Sequence, residues 1–322
     1  MLETNWVVFV VVGLCRVGVT AAKQLAAEHN LPFISINHME GHALVARLTD
    51  PSLTFPFLAL LISGGHNLLL VVHDVGSYTQ LGATVDDALG EAYDKTARII
   101  GLPVGGGGGP ALEKLALDGD PYAFEFSLPM SRVKNCDFSY AGLKTAVRLA
   151  AEKAGDLSRP SETGRSTVGA DLAASFQRVA VAHLEDRTRR AVEWCKDIAP
   201  LAKHLVVSGG VASNQYIRSR LDAIATEAEM TLVCPPPRLC TDNGVMIAWV
   251  GVERFGRGIT DNPEEIDIRP RWPLGPQLTG DKYVVSRQKV TGAGLKIKYM
   301  KGDLTSEELL RKEEESGSTD EG

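Results

Sequence analysis

The stretch Phe57-Leu-Ala-Leu-Leu-Ile-Ser-Gly-Gly-His-Asn-Leu-Leu-Leu-Val-Val-His73 decides the fold. Phe57 to Ile62 is apolar at every position, the pattern of a strand buried on both faces. Ser63-Gly64-Gly65 then turns the chain into a second apolar run, Leu68 to His73. The reading is a hairpin with a glycine tip, whose backbone N–H groups can approach an anionic oxygen closely because no Cβ intervenes. A comparable junction follows the strand Leu205 to Ser208, at Gly209-Gly210. A third glycine run, Gly105 to Gly109, precedes Pro110, where a helix can begin. Singly these turns are weak evidence, because glycine hairpins are common and a glycine run also reads as a linker.

Working outward, strands and helices alternate. Trp6 to Cys15 reads as a buried parallel strand, Val17 to Glu28 as a helix, and Phe33 to Ile36 as a short strand. His38 to Leu48 has helical spacing with Asn37 as N-cap, and Thr49-Asp50-Pro51 ends it. Helices are expected over 86–100, 111–117, 138–153 and 170–196, with a polar surface loop over 155–169. A helix from Asn214, a strand at 232–234 and a helix over 243–255 follow, with order ending near Leu274. Glycines at strand ends and this alternation argue for an α/β architecture.

Composition narrows the class. The chain has 322 residues, 44% hydrophobic and 23% charged, which suits a folded chain of about two domains and excludes a fibrous or disordered one. Five cysteines are an odd number spread over a long chain, which speaks against a disulfide scaffold. Cys234 and Cys240 lack a second pair to complete a thiolate zinc site and read as structural. The net charge of −6 resides in residues 303–322, where eight acids face Arg311 and Lys312. Residues 282–301 carry six basic side chains and no acid. Such a strip permits a nucleic-acid partner without requiring one. The run Trp6 to Cys15 is about half the ~20 residues a membrane helix needs, and no basic segment precedes it to mark a secretory signal.

Three groups carry chemistry. His38 and His42 stand four apart on the expected helix, so both imidazoles share a face that suits two metal ligands. The spacing alone is weak, and an ordinary helix face is the blander alternative. Asp242, in Cys240-Thr-Asp-Asn-Gly244, is the candidate third ligand, with a helix N-cap as its alternative role. Asp87 and Asp94 are read as sharing one face of the 86–100 helix, where a carboxylate can accept from ribose hydroxyls. A solvated helix face is the competing reading. His66, at the hairpin tip, is a candidate general base or hydrogen-bond partner for a substrate.

Taken together, the motifs resemble the TsaD family of tRNA N6-adenosine threonylcarbamoyltransferases. The matching stretches are Asn37-His-Met-Glu-Gly-His-Ala-Leu, Leu61-Ile-Ser-Gly-Gly-His, Asp86-Asp-Ala-Leu-Gly-Glu-Ala-Tyr-Asp-Lys, Asn135-Cys-Asp-Phe-Ser-Tyr-Ala-Gly-Leu-Lys, Val207-Ser-Gly-Gly-Val-Ala-Ser-Asn and Cys234-Pro-Pro-Pro-Arg-Leu-Cys-Thr-Asp-Asn-Gly. They occur in family order between about Gly13 and Leu274, and two of them look most like the mitochondrial branch.

The resemblance implies an α/β, two-lobed fold of the actin/Hsp70/sugar-kinase (ASKHA) type around a nucleotide cleft. It implies transfer of a threonylcarbamoyl group from threonylcarbamoyl-AMP to N6 of the adenosine beside the anticodon in tRNAs that read ANN codons. It implies one divalent metal ion per subunit, Fe or Zn, held by His38, His42 and Asp242. Ile62, Ser63, Gly64, Gly65, His66, Asp94, Gly109 and Asn214 would line the substrate site, with Asp94 on the ribose and Asn214 by the adenine or ribose. The implied partners are tRNA, threonylcarbamoyl-AMP and a second copy of the chain, with no membrane and a mitochondrial location.

The expected organisation is a remnant of an N-terminal lobe over 1–55, a second lobe carrying most of the substrate site over 56–242, a helical segment returning to the first lobe over 243–274, and a disordered tail over 275–322. Family members carry about a hundred further residues upstream, so an incomplete N-terminal lobe with an open sheet edge and impaired folding or activity is expected. Three other readings stand beside this one. A metallopeptidase would use His38 and His42 but lacks a glutamate adjacent to the first histidine. A small-molecule kinase of the same fold would need acceptor contacts that the sequence does not reveal. A non-catalytic, dimerising homologue would retain the fold without the full cleft.

Overall fold

A computed structural model describes residues 3–104, 107–162, 164, 166–269, 272–279 and 284–285. The chain opens with helix α1 (Glu3–Glu28), followed by α2 (His38–Leu44) and α3 (Ala46–Thr49). Strands β1 (Phe57–Ile62), β2 (Asn67–Asp74) and β3 (Ser77–Ala83) come next. Four helices follow: α4 (Leu89–Ile100), α5 (Gly109–Ala116), α6 (Ala141–Ala154) and α7 (Val168–Ile198). β4 (His204–Ser208) leads through a 3-10 turn, Gly210–Ser213, into α8 (Gln215–Glu227). β5 (Thr231–Val233), α9 (Pro237–Cys240) and α10 (Gly244–Phe255) follow, then the short pair β6 (Leu278–Thr279) and β7 (Val284–Val285).

Five strands form one sheet in the order β3-β2-β1-β4-β5. β1 and β2 are antiparallel, with Phe57 opposite Val72 and Ile62 opposite Asn67. β2 and β3 continue the meander, while β4 joins β1 and β5 joins β4 in parallel. β1 is therefore central, and its alternation feeds two cores. Leu58, Leu60 and Ile62 pack with residues of α4, α6, α7 and α8, including Tyr93, Val147, Phe176 and Leu221. Phe57, Ala59 and Leu61 pack on the opposite face with Ala43, Leu44 and Val250, from α2 and α10. A strand covered on both sides needs an apolar residue at every position, which is the pattern from Phe57 to Ile62. Thr167 caps α7, and Asn214 and Asn243 cap α8 and α10, each side-chain oxygen accepting a backbone N–H of the first turn.

Several sequence expectations are corrected. Trp6 to Cys15 is not a strand but the first part of a continuous helix to Glu28. Phe33 to Ile36 makes only one bridge, Phe33 to Asp261, and Ser35 donates to the Asp261 carboxylate. The helix from His38 is interrupted at Val45, where α2 ends and α3 begins. α4 starts at Leu89, so Asp87 precedes it and shares no helical face with Asp94. β3, absent from the sequence reading, follows a turn at Gly76 with φ +78°. Order does not stop at Leu274, because Gln80 of β3 donates its N–H to the Pro276 carbonyl. Most of the expected tail lies outside the described residues, as do Gly105 and Gly106 and nearly all of the basic strip. No helix among the described residues is long and apolar enough to cross a membrane.

Candidate metal centre and glycine-lined cleft

Asn37 starts α2 by accepting the Met39 N–H at 2.9 Å, and its amide donates to the Trp272 carbonyl at 2.7 Å. This fixes the helix so that His38 and His42 project from one face. Asp242 arrives from the other end of the sequence, one residue before the Asn243 cap of α10. Its Oδ1 lies 3.2 Å from His38 Nε2 and 3.0 Å from His42 Nε2. The two rings meet edge to face, with centroids 5.0 Å apart. One ligand atom from each of the three residues falls within 4.8 Å of the others, the only such cluster among the described residues.

The donor set fits a divalent cation. Two imidazole nitrogens and a carboxylate oxygen are borderline donors that suit zinc or ferrous iron, with further positions left open. Burial, then the neighbouring His38, lowers the pKa of His42, although Asp242 pulls the other way. That favours the neutral imidazole, which is the ligating form. The helix face is buried at His42, whose side chain is 3% exposed, and open at His38 and Asp242, at 50% and 76%. The centre therefore has a closed protein side and an open side from which a substrate can approach.

The glycine turns lie alongside. The Ser63 N–H donates to the His66 carbonyl at 2.8 Å, and Ser63 Oγ accepts the His66 N–H at 3.1 Å, which closes the tip tightly. The His66 pKa is lowered by desolvation and then by the charge of His38, with Asp242 opposing. Gly90, in the first turn of α4, sits so close to the tip that a Cβ there would lie 2.7 Å from the Ser63 carbonyl oxygen and 2.8 Å from Gly64 Cα. Gly209 adopts φ +102°, and a Cβ on it would lie 2.3 Å from the Ile62 carbonyl oxygen. A Cβ on Gly210 would lie 3.8 Å from the methyl of Thr241, next to Asp242. The tip residues, the Gly209-Gly210 turn and Thr241, the neighbour of Asp242 in sequence, thus pack in succession.

The remaining sequence candidates have structural partners. Asp94 Oδ1 accepts the backbone N–H groups of Gly108 at 2.6 Å and Gly109 at 3.2 Å. The carboxylate ties the glycine loop down, and its other oxygen makes no such bond among the described residues. Asn214 spends its carbonyl oxygen on the Ile217 N–H, 2.9 Å away. The helices that begin at Gly109 and after Asn214 are linked by the Glu113 carboxylate accepting the Gln215 N–H at 2.7 Å. Asp87 holds Lys95 at 2.9 Å and Lys144 at 2.5 Å. Burial alone would raise its pKa, but bonds from the two ammonium groups hold it below the usual carboxylate range. Cys234 and Cys240 are structural: Cys240 is fully buried with its thiol against the Pro235 carbonyl.

Sequence reasoning missed two side chains that shape this region. Glu40, between the two histidines, is fully buried and paired with Arg254 at 2.7 Å. A buried, paired glutamate turned away from the histidines cannot serve as a peptidase base, which removes the metallopeptidase reading. Asn67 is buried beside the tip and accepts the Leu89 N–H at 3.1 Å. The signal for Glu40 was its place between two ligands, while its partner lies 214 residues away.

Comparison with known proteins decides the family. Residues 11–249 match the family model described as TsaD: tRNA N6-adenosine threonylcarbamoyltransferase. The chain belongs to this family. A probable mitochondrial tRNA N6-adenosine threonylcarbamoyltransferase of Arabidopsis thaliana is 54% identical over 279 residues, covering 82% of this chain and 58% of that protein. The tRNA N6-adenosine threonylcarbamoyltransferase of Sphingopyxis alaskensis is 47% identical over 285 residues, 88% of this chain and 75% of the relative. The chain therefore spans a little over half the length of the Arabidopsis protein and three-quarters of the bacterial one. Among solved structures, T. kodakarensis HypF superposes with a TM-score of 0.54 at 16% identity, over 74% of this chain and 39% of that one. Full-length HypF in its phosphate- and nucleotide-bound form gives 0.52 at 14% identity, over 72% and 37%. These likenesses show a shared fold over about three-quarters of this TsaD-family chain, whose sheet is mixed.

Proposed function

We propose that this chain transfers a threonylcarbamoyl group from threonylcarbamoyl-AMP to N6 of a tRNA adenosine, using His38, His42 and Asp242 to hold a divalent ion. The observation that carries the reading is the convergence of these three side chains from two distant parts of the sequence. In this reaction a C–N bond forms between N6 and the carbamoyl carbon, the bond from that carbon to the phosphate oxygen breaks, AMP departs, and N6 loses a proton. The acceptor is a poor nucleophile and the donor is already activated, so positioning and charge stabilisation carry the step.

The chain's own groups divide these tasks. The Gly64 and Gly65 tip presents backbone towards the phosphate and carbonyl oxygens. His66, with its pKa lowered, offers a neutral imidazole for a hydrogen bond to the threonylcarbamoyl group. Asp94 sets the glycine loop before Gly109, and its second oxygen is the ribose contact. Asn214 keeps its amide nitrogen for the nucleoside while capping α8. A divalent ion at the three ligands would supply Lewis-acid polarisation and a fixed attachment point for the threonyl portion.

The same reading takes the chain as a mitochondrial homodimer acting on tRNA, supported by the name of the Arabidopsis relative for the location and by the family resemblance for the rest. It keeps the division into 1–55, 56–242 and 243–274, supported by the packing of α10 against α2, with a C-terminal segment over 275–322 whose first residues lie against β3. The test is nucleoside analysis of tRNA incubated with threonylcarbamoyl-AMP and wild-type or Asp242→Ala protein. The wild type is expected to form threonylcarbamoyladenosine. The variant is expected to lose more than the roughly 10–100-fold that removal of a mere supporting partner costs. Full activity in the variant would overturn the ligand assignment.

A further inference from the structure

We propose that the buried Glu40–Arg254 ion pair, with Gly41 beside it, is a positioning device that sets α10 against α2 and thereby delivers Asp242 to the two histidines. This inference rests on the reading that His38, His42 and Asp242 hold a divalent ion.

The geometry is specific. Residues two apart on a helix point to different faces, so Glu40 faces away from the side shared by His38 and His42. Its Oε1 accepts from Tyr78 OH at 2.7 Å and from the Gly76 N–H at 3.1 Å, which anchors α2 to the turn between β2 and β3. Its Oε2 accepts from Arg254 at 2.7 Å, in the last turn of α10. Arg254 is 12% exposed and Glu40 is not exposed at all. The neighbouring Glu253 takes Arg47 of α3 at 2.6 Å and Arg257 at 2.9 Å, and Arg257 reaches Asp74 of β2 at 2.8 Å. The C-terminal end of α10 is thus pinned to α2, α3 and β2.

The distance between the helices is set by Gly41. A Cβ there would lie 3.1 Å from Ile247 Cδ1 and 3.2 Å from Met246 Cγ, so a larger residue would have to push these α10 side chains back by a few tenths of an ångström. Asp242 hangs from the opposite end of the same rigid element, just ahead of the Asn243 cap, and is 76% exposed. Its carboxylate touches the two histidines, and the Gly41 packing near one end of α10 together with the ion pair at the other sets the register that places it there. A buried ion pair is weak evidence for stability but is well suited to enforcing register.

The experiment is zinc titration of the metal-free full chain by calorimetry, with cobalt absorption as a readout of coordination, alongside thermal melts without metal. Wild type, Arg254→Met, Arg254→Lys, His42→Ala and a remote core variant, Val147→Ala, are compared. Arg254→Met is expected to weaken zinc binding about 10–100-fold, the range for lost outer partners. Arg254→Lys, which keeps a charge for Glu40, is expected to recover most of that affinity. Val147→Ala is expected to lower the melting temperature with zinc affinity unchanged. Wild-type affinity in Arg254→Met, or an equal loss in Val147→Ala, would overturn the positioning role. If Arg254→Met does not fold, Glu40→Gln carries the same comparison. Unchanged affinity in His42→Ala, or no zinc binding by the wild type, would overturn the metal reading and this inference with it.

Discussion

His183 shows how one side chain can couple pH to stability. It is fully buried, and its Nε2 accepts the Ser139 N–H at 3.2 Å, so the ring is held neutral. Burial, then the nearby Arg187, pushes its pKa from 6.5 down to about 4. A folded-state pKa below the unfolded one means stability is present above pH 6.5 and is lost as pH falls towards 4. The loss is on the order of 3 kcal/mol at most. Thermal melts between pH 7 and about 4.5 are expected to show a steep fall for the wild type and a shallower one for His183→Gln, whose amide oxygen can accept the same N–H without titrating. Identical slopes would remove His183 as the source. At this scale the cluster of His38, His42 and Asp242 was legible as a candidate, because two histidines four apart and an aspartate before a helix are local patterns. The role of Asp94 was not, because its partners are backbone N–H groups of a loop, which no side-chain pattern reveals. Glu40 was hidden for a related reason: its environment is built from β3 and α10, far along the chain.

Among the elements, Gly209 makes a sharp test. Its φ of +102° and the 2.3 Å approach of a would-be Cβ to the Ile62 carbonyl leave alanine no room. Gly209→Ala is expected to destabilise the fold by about 1–3 kcal/mol or more, through backbone strain and displacement of the β1–β4 ends. The check is chemical denaturation, and a midpoint equal to the wild type would contradict it. The hairpin of β1 and β2 was legible because unbroken apolar runs around Ser63-Gly64-Gly65 admit little else. The run from Trp6 to Cys15 was misread because an apolar stretch without periodicity fits a buried strand and a helix equally well. Here it continues, with neither proline nor cap, into the helical pattern that ends at Glu28. β3 escaped because Ser77-Tyr-Thr-Gln-Leu-Gly-Ala83 mixes polar residues with a glycine, and its pairing with β2 supplies what its own sequence lacks.

For the whole molecule, the sheet order β3-β2-β1-β4-β5 explains why distant residues meet. Central β1 and its parallel neighbour β4 end at the same edge, so the tips after Ile62 and Ser208 lie together. α2 and α10 cover the sheet face bearing Ala59 and Leu61, and the three candidate ligands stand on α2 and just ahead of α10. An ion bound only by the folded chain must stabilise it by mass action. Zinc at 100 times its dissociation constant is expected to add about 2.7 kcal/mol and to raise the melting temperature, with no rise in His42→Ala. Whether two imidazoles and one carboxylate share an ion is measured directly by X-ray absorption at the zinc edge of the loaded protein. Two imidazole nitrogens at about 2.0–2.1 Å with oxygen donors completing the shell are expected, and one imidazole fewer in His42→Ala. A spectrum with no imidazole scattering, or one unchanged by His42→Ala, would contradict the shared ion.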